Sequence, residues 1–478
     1  MLFGAAVLAA SCGQTAPKFD GPAYLDESLP IDVRVEDALS RMTMEEKVKI
    51  LHAQSKFSSA GVPRLGIPEI WTTDGPHGIR PEVMWDEWDQ ARWTNDSCVA
   101  FPALTCLAAT WNEEMSALYG KSIGEEARYR DKDVLLGPGV NIYRTPLNGR
   151  NFEYMGEDPF LASKMVVPYI QEVQKNGVAV CVKHYALNNQ EAKRHEYDAV
   201  IDDRTLYEIY LPAFKAAVQE GGAWSIMGAY NLFEGEHLCH NDRILNKILK
   251  EEWGFDGAVI SDWGGTHVTD EAIENGLDLE MGTGTNGLDS KYGNSYDAYH
   301  LALPYLERLR DGRVSMEVLD DKVRRVLRLN FRTAMNSDKP YGSLNSPEHN
   351  AAARKIAGEG IVLLKNDNNT RITEIDIEGY ASPEGNSEFN ETLALQRAEE
   401  AAVLIKQELG EISDENIEIV SKGADWDGLY ASLANSEIED KNQIIEKLHE
   451  RLVGRYAFEN IVNPQTGEYK TIFHIEDE

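Results

Sequence analysis

Short apolar runs alternate with helical patterns from about Tyr24 to Ala334, and this alternation constrains the fold more than any other feature. Buried-type runs separated by amphipathic stretches are typical of parallel strands joined by helices. About 300 residues of this pattern suit a (β/α)8 barrel of the TIM type with insertions. The predicted strands are Asp133–Leu136, Ala179–Val182, Trp224–Met227, Ala258–Ile260 and Leu277–Glu280, and the predicted helices are Pro159–Lys175, Asp203–Glu220 and Asp242–Glu252.

Polar residues follow the predicted strands where each strand ends. Lys183 and His184 close one strand, Tyr230 lies just beyond the next, and Asp262 with Trp263 follows Ala258–Ile260. The carboxyl ends of barrel strands converge on one face, where such folds carry out chemistry. We therefore expect these side chains to meet in one site, although His184 could instead be a core histidine with its own partners.

Asp262 is the candidate catalytic residue. A carboxylate after a buried strand can attack an anomeric carbon and form a covalent glycosyl intermediate. The alternative is that Asp262 caps the next helix, as Asp often does.

Further residues suit the binding of sugar hydroxyls. Arg150 and Arg194 lie in loops rich in Asn and Glu, where each can donate paired hydrogen bonds or form a surface ion pair. Asp74, in Thr-Asp-Gly-Pro, can accept hydrogen bonds from vicinal hydroxyls or occupy a plain turn. Tyr230 and Trp263 can stack on a sugar ring or pack at the barrel rim.

The charge balance disfavours two classes of partner. The chain has 80 acidic and 47 basic residues and a net charge of -33, so nucleic acid and anionic lipid surfaces would repel it. A neutral carbohydrate or a cationic partner fits better, unless the acidity serves only solubility. The cysteines form no CxxC pair, so we expect no metal site, and we expect no cofactor.

The N-terminus, from Met1 to Gly13, is a short apolar run ending in small residues before Cys12. It resembles a secretory signal and a lipoprotein processing site, although no basic residue precedes the run. The expectation is an exported protein, periplasmic or anchored to the outer membrane of a Gram-negative bacterium by lipidation of Cys12. In that compartment Cys98 and Cys106 could form a local disulfide.

Several motifs, taken together and in order, resemble glycoside hydrolase family 3 over about Tyr24 to Asp367. The resemblance includes Asn188-Asn189-Gln190, which indicates the β-glucosidase and β-xylosidase branch. The motifs are Leu65-Gly66-Ile67-Pro68, Thr73-Asp74-Gly75-Pro76, Leu136-Gly137-Pro138-Gly139-Val140-Asn141, Gly149-Arg150-Asn151-Phe152-Glu153-Tyr154, Glu157-Asp158-Pro159, Lys183-His184-Tyr185-Ala186, Met227-Gly228-Ala229-Tyr230-Asn231 and Ile260-Ser261-Asp262-Trp263-Gly264.

The resemblance implies a retaining, exo-acting hydrolase that removes terminal β-D-glucosyl or xylosyl residues from oligosaccharides. It implies that Asp262 is the nucleophile and that Trp263 lines the subsite of the non-reducing-end sugar. The residues implied to hold that sugar are Asp74, Arg150, Lys183, His184, Arg194 and Tyr230.

The sequence departs from this family after about residue 369. The resemblance implies a second α/β sandwich domain carrying the acid/base Glu, and that domain starts at Ile361–Asn366 and then stops. The region from about Ile372 to Trp426 instead resembles part of an outer-membrane-protein-A-like domain. Arg397 matches its peptidoglycan-binding Arg, but Ser382 replaces the Asp, so peptidoglycan binding is not expected to be retained. The alternative is an acidic appendage without function.

We therefore predict four regions: a leader and linker (1–23), a barrel (24–335), a linker with a truncated second domain (336–370), and a small α/β appendage (371–478). The last region holds 25 acidic and nine basic residues, so its net charge of -16 marks a boundary. The alternative function is a catalytically impaired, sugar-binding remnant or an envelope-associated fusion protein.

Overall fold

The computed structural model describes residues 19–85, 88–92, 97–282 and 295–362, together with parts of the region 375–475. The chain divides into two units between Val362 and Leu363. The predicted boundaries at 335/336 and 370/371 remain predictions.

The strands described in the first unit are β1 Ser58–Ser59, β2 Ile70–Thr73, β3 Val134–Leu135, β4 Ala179–Tyr185, β5 Asp198–Ala199, β6 Ser225–Gly228, β7 Leu232–Phe233, β8 Glu236–His237 and β9 Ala258–Ile260. Six of them form a sheet of order β1-β2-β3-β4-β6-β9. From β2 to β9 all neighbouring strands of this sheet are parallel, whereas β1 runs antiparallel to β2. A separate small sheet has the order β5-β7-β8.

Isolated bridges continue the sheet beyond β9. Ile260 bridges Leu279 in parallel, and Glu280 bridges His52 in parallel. Ala53 then bridges Ser59 of β1 in the antiparallel sense. The predicted strand Leu277–Glu280 is therefore present as bridges rather than as a continuous strand, and these bridges lead from β9 back to β1.

Helices connect the strands as the pattern predicts. Asp158 caps the helix that begins at Pro159, because its carboxylate accepts hydrogen bonds from the Phe160 and Leu161 amides. The helices are α1 Ile31–Arg41, α2 Met44–Lys49, α3 Leu104–Ala109, α4 Glu113–Tyr129, α5 Pro159–Gln174, α6 Asp203–Thr205, α7 Pro212–Gln219, α8 Thr269–Glu274, α9 Leu303–Arg310, α10 Met316–Arg332 and α11 Pro347–Gly360.

Two predicted helices differ in detail from the structure. The stretch Asp203–Glu220 is broken into α6, a π-helical turn at Leu206–Tyr210, and α7. Pro212 explains the break, since proline has no N–H to donate and its ring crowds the preceding turn. The predicted helix Asp242–Glu252 is π-helical over Arg243–Glu252.

The core explains why the strand signals were apolar runs rather than alternating patterns. Every residue of β3, β4, β6 and β9 is buried, as expected for a parallel sheet with both faces covered. Burial of apolar surface stabilises a fold by about 25 cal/mol per Å², so these strands contribute to the stability of the unit. Their rigidity fixes the side chains at their carboxyl ends.

In the second unit, β10 Ile375–Ala381 pairs in parallel with β11 Ile417–Ala424. The antiparallel pair is β12 Tyr456–Val462 with β13 Tyr469–Ile475. Ser382, Arg397 and the predicted lipidation site Cys12 lie outside the described residues.

The predicted disulfide is wrong for this structure, because Cys98 and Cys106, both within the described residues, are not joined. Their sulfurs have different neighbourhoods, one near Gly78 and the other near Gly360. No helix in the described part of the chain is long and apolar enough to cross a membrane.

Candidate active site

A cavity of about 370 Å³ opens at the carboxyl ends of the strands. It brings together every residue predicted for the sugar site, although they come from positions spread over almost 190 residues of the chain. The lining is Phe57, Asp74, Trp88, Leu136, Arg150, Lys183, His184, Arg194, His195, Met227, Tyr230, Asp262 and Trp263.

Asp262 lies two residues after β9 and is buried. Its Oδ1 accepts a hydrogen bond of 2.8 Å from the Trp263 amide, which orients the carboxylate. Its Oδ2 accepts no hydrogen bond from the described residues, and His184 Nε2 lies 3.6 Å away. Burial raises the pKa of Asp262, and the positive charges of Arg150 and Lys183 oppose that rise. The cavity thus contains a buried carboxylate oxygen available for reaction.

Lys183 forms the centre of a charged group beside Asp262. Its Nζ donates to Asp74 Oδ1 at 3.3 Å and lies 3.6 Å from Glu153 Oε1. Burial disfavours the charged forms of both Asp74 and Lys183. The Lys183 charge nevertheless keeps the pKa of Asp74 below its usual range, and the charges of Asp74 and Glu153 raise the pKa of Lys183. Both partners therefore stay ionised, and they offer an acceptor and a donor to sugar hydroxyls.

His184 is held as a neutral ring. Burial, reinforced by Arg150 and Lys183, places its pKa well below the usual value. Its Nε2 lies 3.0 Å from Arg150 Nη2, and its Nδ1 lies 3.2 Å from the Tyr154 hydroxyl. Because a guanidinium only donates, Nε2 is the acceptor, and the proton of the neutral ring is therefore on Nδ1. His184 is thus both a buried histidine with its own partners and part of the cavity wall.

Glu191 connects the two arginines of the site. Arg194 Nη1 donates to Glu191 Oε2 at 2.8 Å, and Arg150 Nη1 lies 3.7 Å from Oε1. Arg150 Nε also donates to Glu153. The ion pairs considered as the alternative for Arg150 and Arg194 are therefore present, and they position both side chains in the cavity wall.

Tyr230 and Trp263 are fixed by hydrogen bonds. The Tyr230 hydroxyl donates to the Trp263 carbonyl oxygen at 3.0 Å, and the Trp263 indole N–H donates to the Lys56 carbonyl oxygen at 2.7 Å. The Arg194 guanidinium lies 4.3 Å from the centroid of the Tyr230 ring. Each aromatic residue has a fixed position in the wall.

Sequence reasoning missed several residues of this site. Glu153 lies in a quoted motif and Glu191 directly follows Asn188-Asn189-Gln190. Their spacing of three residues from Arg150 and Arg194 is the signal that would have marked them as partners. Phe57, Trp88 and His195 also line the cavity, but they follow no predicted strand. Among the described residues no group of three His, Cys, Asp or Glu side chains is arranged to hold a metal ion.

Similar curated proteins match about seven-tenths of this chain. Beta-glucosidase BoGH3A of Bacteroides ovatus is 66% identical over 345 residues, which cover 72% of this chain and 46% of the relative. Thermostable beta-glucosidase B of Acetivibrio thermocellus is 38% identical, with 70% of this chain and 42% of the relative covered. The chain thus spans about half the length of the curated relatives it matches.

Solved structures are also similar to this chain. DesR, a beta-glucosidase of Streptomyces venezuelae in complex with D-glucose, has a TM-score of 0.63 and 34% identity, covering 72% of this chain and 44% of its own. Beta-glucosidase 3B of Thermotoga neapolitana, in complex with glucose, has a TM-score of 0.65 and 30% identity, covering 84% of this chain and 61% of its own. The model of the glycosyl hydrolase family 3 N terminal domain matches residues 39–329, and the chain therefore belongs to that family.

Proposed function

We propose that the chain is an exo-acting, retaining glycoside hydrolase of the β-glucosidase type, with Asp262 as its nucleophile. The observation that carries the proposal is the placement of Asp262 Oδ2, a buried and unengaged carboxylate oxygen in a cavity shared with seven sugar-binding candidates. The beta-glucosidases among its relatives support the same chemistry.

The reaction proceeds in two displacements. Asp262 Oδ2 attacks the anomeric carbon, a glycosyl ester forms, and the bond to the leaving-group oxygen breaks. An aryl leaving group departs as a phenolate, whereas a sugar leaving group takes up a proton from water. Water then attacks the same carbon, loses a proton, and returns Asp262 to its carboxylate form. Two inversions at one carbon give a product with the configuration of the substrate.

The charged group around Lys183 supplies binding for a terminal sugar. Asp74 accepts hydrogen bonds from vicinal hydroxyls, while Lys183 and Arg150 donate. These side chains are positioned by one another before substrate arrives, so little reorganisation is needed. The substrate class we propose is a terminal β-D-glucosyl or xylosyl residue.

We also propose that the first unit is a closed (β/α)8-type barrel. The bridges from Ile260 through Leu279, Glu280, His52 and Ala53 back to β1 support closure. The strand β1 is an exception to an all-parallel barrel, because it runs antiparallel to β2.

Hydrolysis of 4-nitrophenyl β-D-glucopyranoside, followed by proton NMR of the released sugar, tests the proposed function. The α-anomer of the same substrate is the control, and we expect it to be left intact. The first-formed product should be β-D-glucose, which only later equilibrates with the α-anomer. First-formed α-D-glucose would contradict a retaining mechanism, and no release of glucose would contradict the activity itself.

Export and lipidation at Cys12 form a separate proposal, supported by the apolar run and small residues that precede this cysteine. In a Gram-negative host the full chain should fractionate with membranes, and Cys12→Ser should move it to the soluble periplasmic fraction. Wild-type protein recovered entirely in a soluble fraction would contradict lipidation.

A further inference from the structure

The strand that leads to the nucleophile ends in a side-chain hydrogen bond. The Leu279 amide donates to the Val259 carbonyl oxygen, and the Ser261 amide donates to the Leu279 carbonyl oxygen, each at 2.9 Å. In a regular parallel pair, the next bond of this series would join the Met281 amide to the Ser261 carbonyl oxygen. Here the Met281 amide donates to the Ser261 hydroxyl oxygen at 2.8 Å. The side chain of Ser261 thus takes the place of its own backbone acceptor.

The Ser261 hydroxyl also acts as a donor. It donates to the Met281 carbonyl oxygen at 3.1 Å, and both residues are buried. The same carbonyl oxygen accepts a hydrogen bond of 3.2 Å from the Gly264 amide. Met281 therefore holds the chain on both sides of Asp262 and Trp263.

The direction of the Asp262 carboxylate depends on the turn between these two anchors. The Gly265 amide donates to the Asp262 carbonyl oxygen at 2.9 Å, and Gly264 has a φ of 76°, in the left-handed region that favours glycine. The Trp263 amide, inside the turn, donates to Asp262 Oδ1. The backbone and the carboxylate of Asp262 are thus fixed by one turn, and Ser261 joins that turn to Met281.

We propose that Ser261 is a positioning residue for the first displacement, and that its paired hydrogen bonds with Met281 place Asp262 within reach of the anomeric carbon. This inference rests on the proposed function, because it takes Asp262 as the nucleophile. The side-chain acceptor ends the regular series of backbone bonds at Ser261, so the chain can turn there and bring the next side chain into the cavity. Without the hydroxyl, the Met281 amide is free to bond the Ser261 carbonyl oxygen, which would extend the strand and move the turn.

The expected effect is on the rate of attack rather than on the binding of the sugar. A displacement of about 1 Å at a reacting atom can cost about 10²-fold in rate. Asp74 and Lys183, which we propose to hold the terminal sugar, follow β2 and lie in β4, and they bond to each other. A moved turn should therefore slow the reaction while the affinity for the sugar is retained. If the hydroxyl served only stability, its loss would lower the Tm and leave the rate unchanged.

Ser225 offers a matched control. It is also buried, and its hydroxyl donates to the Val180 carbonyl oxygen of the neighbouring strand at 2.7 Å. Ser225 pairs with Ala258 at the beginning of β9, whereas Ser261 follows the end of that strand. Ser225→Ala therefore deletes a buried hydrogen bond between strands without touching the turn that carries Asp262.

Three measurements test the proposal: kcat/KM for 4-nitrophenyl β-D-glucopyranoside, the Kd of D-glucose by calorimetric titration, and the Tm. Ser261→Ala should lower kcat/KM by about 10-fold to 100-fold and leave the Kd of D-glucose unchanged. Ser261→Cys, whose thiol is a weaker donor and acceptor than a hydroxyl, should lose less activity than Ser261→Ala. Ser225→Ala should lower the Tm and keep the wild-type kcat/KM.

The kinetics are measured well below the lowest Tm, so that partial unfolding does not contribute. The proposal is overturned if Ser261→Ala is as active as Ser225→Ala, if its D-glucose affinity falls in proportion to kcat/KM, or if Ser261→Cys loses as much activity as Ser261→Ala. If the alanine variant does not fold, the cysteine variant is compared with Ser225→Ala, and equal activity of the two overturns the proposal. A folded wild-type chain without activity would instead contradict the proposed function, and the inference with it.

Discussion

Replacing Asp262 by Asn should reduce hydrolysis of aryl β-glucosides by about 10⁴-fold or more, the scale on which loss of a covalent nucleophile acts. An amide oxygen attacks an anomeric carbon far more weakly than a carboxylate, while the shape of the cavity is preserved. The measurement is kcat/KM for 4-nitrophenyl β-D-glucopyranoside. Asp338→Asn, at an exposed position, is the matched control and should keep full activity.

The Asp262→Asn variant should be at least as stable as the wild type. Burial raises the pKa of Asp262 in the folded chain. The proton on this group therefore stabilises the fold at low pH, and that stabilisation is lost as pH rises through the folded-state pKa. At neutral pH the buried, ionised carboxylate of Asp262 therefore destabilises the fold, and the neutral Asn side chain removes this destabilisation.

A Tm equal to or above that of the wild type, combined with lost activity, separates a catalytic role from unfolding. Residual activity above a tenth of the wild-type value would remove Asp262 from the role of nucleophile. A lowered Tm would contradict the assignment of its raised pKa to burial.

Aryl glucosides with good leaving groups should be hydrolysed by this polypeptide with kcat/KM about 10² to 10⁴ times higher than cellobiose, the range that general acid catalysis contributes. Among the described residues that line the cavity, the only carboxylates are Asp74 and Asp262. Lys183 keeps the pKa of Asp74 low despite burial, so Asp74 is ionised and a poor proton donor. A leaving group that departs as a stable anion needs no proton, so its departure does not depend on a proton donor.

Added azide extends the test. It attacks the glycosyl ester of Asp262 without needing a base, so it should accelerate turnover of the best aryl substrates and give β-glucosyl azide. Cellobiose should respond far less, because its first step still needs an acid. Equal rates on cellobiose and 4-nitrophenyl glucoside would show that another group supplies the proton and would contradict the alternative of an impaired enzyme.

The parts of the site predicted from sequence are those tied to strand ends. Lys183, His184, Tyr230 and Asp262 follow or close apolar runs, and parallel strands place such residues at one edge. The apolar runs, together with the rule that parallel strands end at one edge of a sheet, are therefore sufficient to predict that these residues meet in one site. The presence of the helices could also be predicted from the sequence, since α5 follows an Asp N-cap and has Pro at its first position.

What the sequence did not reveal depends on contacts between distant segments. Phe57 and Trp88 reach the cavity through loops, and the contact of the Phe57 ring with the Trp263 ring joins residues more than 200 positions apart. Hydrophobic periodicity describes only local structure, so it does not predict such a contact. The π-helical turn before Pro212 was missed because helical periodicity survives a local change of hydrogen bonding.

The central claim is that Asp262 becomes covalently attached to the sugar. Incubation with 2,4-dinitrophenyl 2-deoxy-2-fluoro-β-D-glucopyranoside, digestion and mass spectrometry of the peptides measures this directly. The electronegative fluorine slows both displacements, and the good leaving group lets only the first proceed without an acid. We expect one fluoroglucosyl group on the peptide containing Asp262, and none in Asp262→Asn. A label on any other residue, or no label on the wild-type chain, would contradict it.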